Sequence, residues 1–318
     1  MNNSNLEPVS IVIPIKNRCY FIDNLIKNLS NLNYAQYEII IVDDCSIDNT
    51  KELLKKYSIK AISLEKSVGS AEARNIGIKE AQYDIIALTD SDCFVSRNWL
   101  KDLVPFLNNY NVVGGRVTSY DSSETKLHPF NMKKEIIIEK ESSMNFLNTS
   151  NMIFKKDLWK ESGGFFNYRI EDLEFSWRLL RKGFKFIYVP RGLVIHIGIR
   201  NPLNNIKKYI QYGKAYSKLS FIYKMDLSFK TEKIFDKKSV WYYFQLIIYP
   251  FVFLITVLIS FFMISNVILY FLLITFSLFF FIFLISLTMK KIDINYKLYK
   301  FCLLLSIIIY HIIYKFKK

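Results

Sequence analysis

Residues 38–50 read EIIIVDDCSIDNT. Four consecutive β-branched residues, Ile39 to Val42, leave no polar face, so the run reads as a strand buried on both sides. Asp43 and Asp44 end it. Ser46 and Asp48 then offer caps for the amphipathic helix of SIDNTKELLKKY. The same grammar extends in both directions. Upstream, VSIVI (residues 9–13) is a buried strand stopped by Pro14, and Phe21, Ile22, Leu25, Ile26 and Leu29 set a helical period between Tyr20 and Leu32. Downstream, AISLE (Ala61–Glu65) is a third strand, SAEARNIGIKEA a helix, and DIIALTDSD (Asp84–Asp92) a fourth strand ending in acids. Strands alternating with helices predict an α/β fold with a largely parallel central sheet.

Open α/β sheets bind ligands outside the carboxyl ends of their strands. Three strands end there in Pro14–Arg18, Asp43–Asp44 and Asp90–Asp92. No GxGxxG follows the first strand, which speaks against dinucleotide binding. Acids at strand ends repel phosphates unless a hard divalent cation bridges them, so the expected ligand is a nucleotide diphosphate held with Mg²⁺ or Mn²⁺.

Six segments, in order, resemble the family-2 glycosyltransferases of GT-A fold. They are VSIVIPIKNR, IIIVDDCSIDNT, SVGSAEARNIGIKEA, LTDSD, TSNMIFKKDLWKESGGF and EDLEFSWRLLRKGFKFIYVP, and the resemblance covers roughly residues 8–213. Cys45 stands where the family usually has glycine, and Lys16 replaces an aromatic residue common after the first proline. The Q-x-x-R-W element of processive synthases is absent.

The resemblance implies roles residue by residue. Pro14 and Asn17 would line the base and ribose, and Asp44 would accept a hydrogen bond from the base. The rival for Asp44 is a helix N-cap on 47–57. Arg74 would face the base or diphosphate, against a plain solvated helix charge. Asp90, Ser91 and Asp92 form the DxD element. On an extended chain Asp90 and Asp92 point the same way, with Asp92 the metal ligand and Asp90 nearer the ribose or a metal-bound water. Asp172 matches the general base that inverting sugar transfer requires, and Glu171 would orient the acceptor or its loop. Both also suit the positive end of a helix dipole. His196 is a candidate third metal ligand, against a structural role. Trp177 and Phe175 read as core.

Charge patterning sets the expected surroundings. Of 318 residues, 51% are hydrophobic and 22% charged, which excludes wholesale disorder. Residues 1–180 carry 22 basic and 24 acidic side chains, whereas residues 181–238 carry 14 basic and 3 acidic. Residues 239–289 contain no Asp, Glu, Lys or Arg. Positive charge beside an apolar block fits anionic lipid, not nucleic acid. Four cysteines without CxxC spacing suggest neither disulfides nor zinc, and MNNSNLEPVS lacks the features of a signal peptide. The expected division is a catalytic domain over 1–198, a lysine-aromatic interfacial helix over 199–238 and a membrane part over 239–318. Its spans would be about 241–264 and 267–289, with 301–314 interfacial or a third span. Lysines flanking the outer ends place the catalytic domain in the cytoplasm.

The expected activity is transfer of one sugar from a nucleotide-diphospho-sugar to a lipid-linked or envelope glycan acceptor. Transfer directly onto polyprenyl phosphate, and a catalytically inactive scaffold of a glycan-assembly complex, are the alternatives.

Overall fold

Strand β1 (Val9–Ile15) divides its side chains between two cores. Val9, Ile11, Ile13 and Ile15 enter one and Val12 the other, as a strand's two-residue period requires. Strand β2 (Tyr37–Asp43) does the same, with Ile39 and Ile41 opposite Ile40 and Val42. A sheet apolar on both faces must be covered on both. The computed structural model describes residues 7–119, 136–138 and 146–197, with scattered positions between 211 and 223. The chain divides into two compact units, Met1–Arg200 and Asn201–Lys318, and the elements below belong to the first.

Helix α1 (Cys19–Ser30) sends Ile22, Leu25, Ile26 and Leu29 into the first core, at the predicted period. Helix α2 (Thr50–Leu54) adds Leu54 to it. After β3 (Lys60–Ser63), helix α3 (Ser70–Lys79) covers the opposite face through Ala71, Ala73 and Ile78. Gly77 allows that approach, because a Cβ there would lie 2.4 Å from a Val12 methyl and 3.1 Å from a Val42 methyl. The chain continues through β4 (Ile85–Leu88), β5 (Cys93–Val95), α4 (Trp99–Leu103), β6 (Val112–Ser119), β7 (Ile136–Ile138) and β8 (Met152–Lys155). Helices α5 (Lys156–Ser162) and α6 (Glu171–Arg181) and strand β9 (Phe186–His196) follow. Phe175 of α6 packs between Phe165, 4.2 Å away between ring centres, and Phe154, 5.7 Å away.

The sheet order is β3-β2-β1-β4-β8-β6-β9-β5, with β7 paired to β9. Two expectations are corrected here. The sheet is mixed rather than largely parallel: β3, β2, β1 and β4 run parallel, but β8 is antiparallel to both β4 and β6. Four residues of β8 without polar alternation give no directional signal. The fourth strand ends at Leu88, not Asp92; Ser91 and Asp92 form a turn closed by the Cys93 N–H donating to the Asp90 carbonyl, 3.1 Å. Pro14 sits inside β1 past its last register pair with β4, Val12↔Leu88, where a missing N–H is tolerated.

Among the described residues no helix is long and apolar enough to cross a membrane. The expected spans 241–264 and 267–289, the stretch 301–314 and most of 199–238 lie outside the described residues.

Candidate active site

The carboxyl ends of β1, β2 and β4 bring three loops together, and hydrogen bonds between them fix their geometry. Asn17 has φ +52°, a left-handed conformation that asparagine tolerates. Its N–H donates to Ser46 Oγ at 2.8 Å, and its Oδ1 accepts from the Ile47 N–H at 2.9 Å. Asn17 therefore stitches the β1 loop to the β2 loop. Cys45, with φ +59°, sits in the backbone conformation that explains the family's usual glycine. Asp48 accepts from the N–H groups of Thr50 and Cys19. Partial burial pushes its carboxyl up, but the Thr50 hydroxyl together with the Cys19 and Thr50 N–H groups outweighs it and holds it at about 2. Asp48, not Asp44, is thus the acid at the start of α2.

Asp44 is 5% exposed, and the loop leading into α3 takes up its oxygens. They accept from Ser67 Oγ at 2.8 Å, the Val68 N–H at 2.6 Å and the Gly69 N–H at 3.1 Å. Lys16 Nζ lies 3.7 Å away. In the ligand-free protein this carboxylate shapes loop 67–69, with the Lys16 ammonium beside it.

Arg74 departs further from expectation. It is not a solvated helix charge but is 3% exposed inside the domain. Nη2 donates to Asp90 at 2.6 Å and Nη1 to Glu171 at 2.7 Å, and Ser70 Oγ donates to the same Glu171 oxygen at 2.9 Å. Burial alone would weaken its charge, but the two carboxylates outweigh this and hold the guanidinium firmly protonated. The next residue, Asn75, clasps the loop before α6. Its amide accepts from the Phe165 N–H at 2.8 Å and donates to the Phe165 carbonyl at 2.8 Å. The A-R-N-x-G pattern is thereby explained: Ala73 and Gly77 pack, Arg74 bridges acids, and Asn75 holds a loop.

The turn separates Asp90 from Asp92. Asp90 belongs to Arg74, whereas Asp92 lies 3.4 Å from His196 Nε2 and 3.6 Å from an Arg18 nitrogen. Antiparallel pairing of Cys93 with His196 sets this proximity, and the Ile197 N–H donates to the Asp92 carbonyl at 2.8 Å. Ligand atoms of Asp92, Cys93 and His196 lie within 4.8 Å of one another. Burial pushes the Cys93 thiol well up, so it is a poor ligand for a hard ion. The Asp92 side chain is 19% exposed, and the Arg18 guanidinium at 3.6 Å stands beyond normal hydrogen-bond distance, so carboxylate plus imidazole fits Mg²⁺ or Mn²⁺. Asp90, expected in the same metal set, lies outside this cluster, and its Oδ1 is paired with Arg74. Ser91 is buried within the turn.

Glu171 and Asp172 open α6, where the Asp172 carboxylate accepts from the Leu173 N–H at 2.8 Å. Burial, the adjacent Glu171 charge and Asp90 push Asp172 up to about 7, against the opposing pull of the Leu173 N–H and Arg74. A carboxylate poised near neutrality can accept a proton from a hydroxyl and release it again. Sequence reading missed Arg178. It pairs with buried Glu174 at 2.8 Å, donates to the carbonyls of Ser162 and Gly164, and lies 4.0 Å from the Phe166 ring centre. Gly164, with φ +78°, permits that turn, and Arg178 pins it to α6. The i,i+4 spacing of Glu174 and Arg178 was the available signal.

Residues 10–173 match the family described as Glycosyl transferase family 2. Glycosyltransferase AglE of Haloferax volcanii is 29% identical over 231 residues, covering 67% of this chain and 74% of that protein. The poly(ribitol-phosphate) beta-N-acetylglucosaminyltransferase TarS of Staphylococcus aureus is 29% identical over 109 residues, and the chain spans only 19% of its length. Among solved structures, S. aureus TarS 1-349 in complex with UDP-GlcNAc superposes with a TM-score of 0.54 at 19% identity, covering 65% of each chain. The mannosyltransferase PcManGT from Pyrobaculum calidifontis, in complex with GDP-Man and Mn²⁺, does so with a TM-score of 0.65 at 14% identity, covering 98% of this chain and 88% of that one. At these identities the likeness establishes the fold alone, a mixed α/β domain of GT-A type.

Proposed function

The chain belongs to glycosyl transferase family 2, and from that premise we propose that it moves one sugar, with inversion, from a nucleotide-diphospho-sugar to a lipid-linked or glycan acceptor. The observation that carries this reading is the gathering of two acids in different surroundings at one edge of the sheet. Asp92 lies beside His196 in a polar, partly exposed setting, while Asp172 stands at the start of α6 with its carboxyl raised to about 7. One suits a cation, the other a proton.

In this reading Asp92 and His196 hold Mg²⁺ or Mn²⁺, which supplies charge neutralisation for the departing diphosphate. The loops stitched by Asn17 and Asp44 seat the nucleotide. Lys16, next to Asp44, offers a donor to it. Asp172 takes the proton from the acceptor hydroxyl as that oxygen attacks the anomeric carbon. The new C–O bond forms as the bond to the diphosphate breaks, and the electron pair leaves with the nucleotide diphosphate. The helix position keeps the base fixed.

We extend the proposal to the setting of the reaction. A run of 51 residues without a formal charge, 239–289, with lysines at its outer ends, supports a membrane anchor and a catalytic unit on the cytoplasmic face. The preceding basic and aromatic stretch supports contact with anionic lipid. Intact Asp92 and Asp172 favour an enzyme over an inactive scaffold.

The experiment is a donor screen. The full-length protein is incubated with Mn²⁺ or Mg²⁺ and a panel of UDP-, GDP- and dTDP-sugars, scored for binding and for hydrolysis. Metal-dependent engagement of one donor is the expected result. Engagement of none across the panel would overturn the reading.

A further inference from the structure

We infer that Arg74 is a positioning residue, whose guanidinium clamps Asp90 to Glu171 and so holds the first turn of α6, with its base, in register with the donor turn. The inference rests on the proposed reading of Asp172 as the base.

Three observations converge on it. First, the two arms of one buried fork reach two different functional segments: Nη2 to the turn after β4, and Nη1 to the first residue of α6. The planar guanidinium fixes the angle between its arms, so the distance between Asp90 and Glu171 is set by covalent geometry. Second, α3 grips the neighbourhood of α6 at two further points. Ser70 Oγ donates to Glu171 at 2.9 Å, and Asn75 holds both backbone polar groups of Phe165. Ser70, Arg74 and Asn75 thus form one side of a cradle for the helix that carries Asp172. Third, the residue before α6 does not cap it. Its N-cap position, Ile170, provides no side-chain hydrogen bond, which leaves the Glu171 contacts to α3 as the tie at the helix's first residue.

Energetics favour a geometric role over a stabilising one. A buried ion pair contributes little net stability, because desolvation offsets most of the attraction. An apolar side chain of similar volume would pack α3 without that penalty. What it would lack is a rigid link between two acids 81 residues apart in sequence. Misplacing a catalytic group by about 1 Å lowers rates by roughly 10²-fold.

The test uses the full-length chain and the variants Arg74→Lys, Glu171→Gln, their double variant and Asp172→Asn. Lysine keeps the charge but reaches only one acid. Hydrogen exchange is followed over peptides spanning 168–176, alongside donor Kd and kcat with the UDP-, GDP- and dTDP-sugar panel and Mn²⁺, counted per folded molecule. For Arg74→Lys we expect faster exchange at the start of α6, no change in β1 and β2, and a kcat lower by about 10²-fold, with donor Kd within about 3-fold. The double variant is expected to be no worse than Arg74→Lys alone, since both changes open one link. Glu171→Gln keeps the Arg74–Asp90 pair; if Arg74→Lys does not fold, it is expected to give the same exchange change with a smaller kcat loss. Donor Kd weakening in step with kcat would make Arg74 a donor contact and overturn the inference. So would unaltered exchange over 168–176, or independent effects of the two changes. Full transfer by Asp172→Asn would instead overturn the reading of the base, while the exchange result would still report on the clamp.

Discussion

Asp92 Oδ1 lies 3.4 Å from His196 Nε2, and the register pair Cys93↔His196 makes that distance a property of the sheet. A backbone-defined ligand pair is preorganised for a cation. Asp92→Asn is expected to abolish metal-dependent donor turnover while leaving the melting temperature nearly unchanged, because the amide keeps the shape. His196→Ala is expected to weaken Mn²⁺ binding by about 10-fold or less, a loss of roughly 1.4 kcal/mol at most. Arg18→Ala removes the cation 3.6 Å from Asp92 and is expected to strengthen Mn²⁺ binding slightly. Electron paramagnetic titration with Mn²⁺ alone checks all three. Unchanged Mn²⁺ affinity in both the Asp92 and His196 variants would remove the pair from the metal site.

How much of this was readable beforehand depended on whether a residue's role is local. The runs VSIVI and EIIIVDD, and the period of α1, are local signals, and they located β1, β2 and α1 to within two residues. The mixed sheet was not legible, because β8 spans four residues whose direction is set by pairing with β4 and β6. Resemblance picked out the residues that gather at the sheet edge, but not which bond to one another. Arg74 looked like a ligand contact because nothing in A-R-N-x-G reveals that its partners are Asp90 and Glu171. Likewise, i and i+2 spacing put Asp90 and Asp92 on one side, whereas the turn after Leu88 sends them to different partners.

The three hydrogen bonds into Asp44 make a prediction about the protein without ligand. Asparagine offers one acceptor oxygen and turns an N–H₂ toward donors that need an acceptor. Asp44→Asn is therefore expected to cost about 1–3 kcal/mol of stability, through unsatisfied groups in loop 67–69. Thermal unfolding of the ligand-free protein measures this. A melting temperature equal to wild type, with only donor affinity reduced, would mean that the carboxylate serves the nucleotide and not the loop.

Cys45 offers a test of backbone strain. Its φ of +59° costs a side-chain-bearing residue about 1–2 kcal/mol, while glycine adds about 0.5–1 kcal/mol of unfolded-state entropy. Cys45→Gly is expected to raise stability by about 0.5–1 kcal/mol, less the weak Sγ contact to the Glu65 carbonyl at 3.4 Å. Cys45→Val, β-branched in a left-handed position, is expected to lower it by more than that. Comparing the two melting temperatures decides the matter, and equal values would show that the loop relaxes to another conformation.

The raised carboxyl of Asp172 sets activity and stability against each other as pH changes. The base must be ionised to accept a proton, so kcat/KM is expected to climb with pH along a limb of unit slope centred near 7. The linkage runs the other way. Folding raises this group from about 3.8 to about 7, so the folded state binds its proton more tightly than the unfolded chain does. That contribution to stability is fully present below about pH 4 and is lost as pH rises through 7. Asp172→Asn removes the titration and keeps the shape. Transfer is expected to fall by about 10²–10⁴-fold, as for loss of a general base, with the pH limb gone. The same variant is expected to melt higher than wild type at pH 8 and by a smaller margin at pH 5, because it no longer confines a buried carboxylate beside Glu171 and Asp90. Melting curves at the two pH values and a rate profile from pH 5 to 9 test both halves. A variant with no stability gain at pH 8 would place the Asp172 carboxylate in water, and a rate limb that survives the substitution would assign the proton to another group.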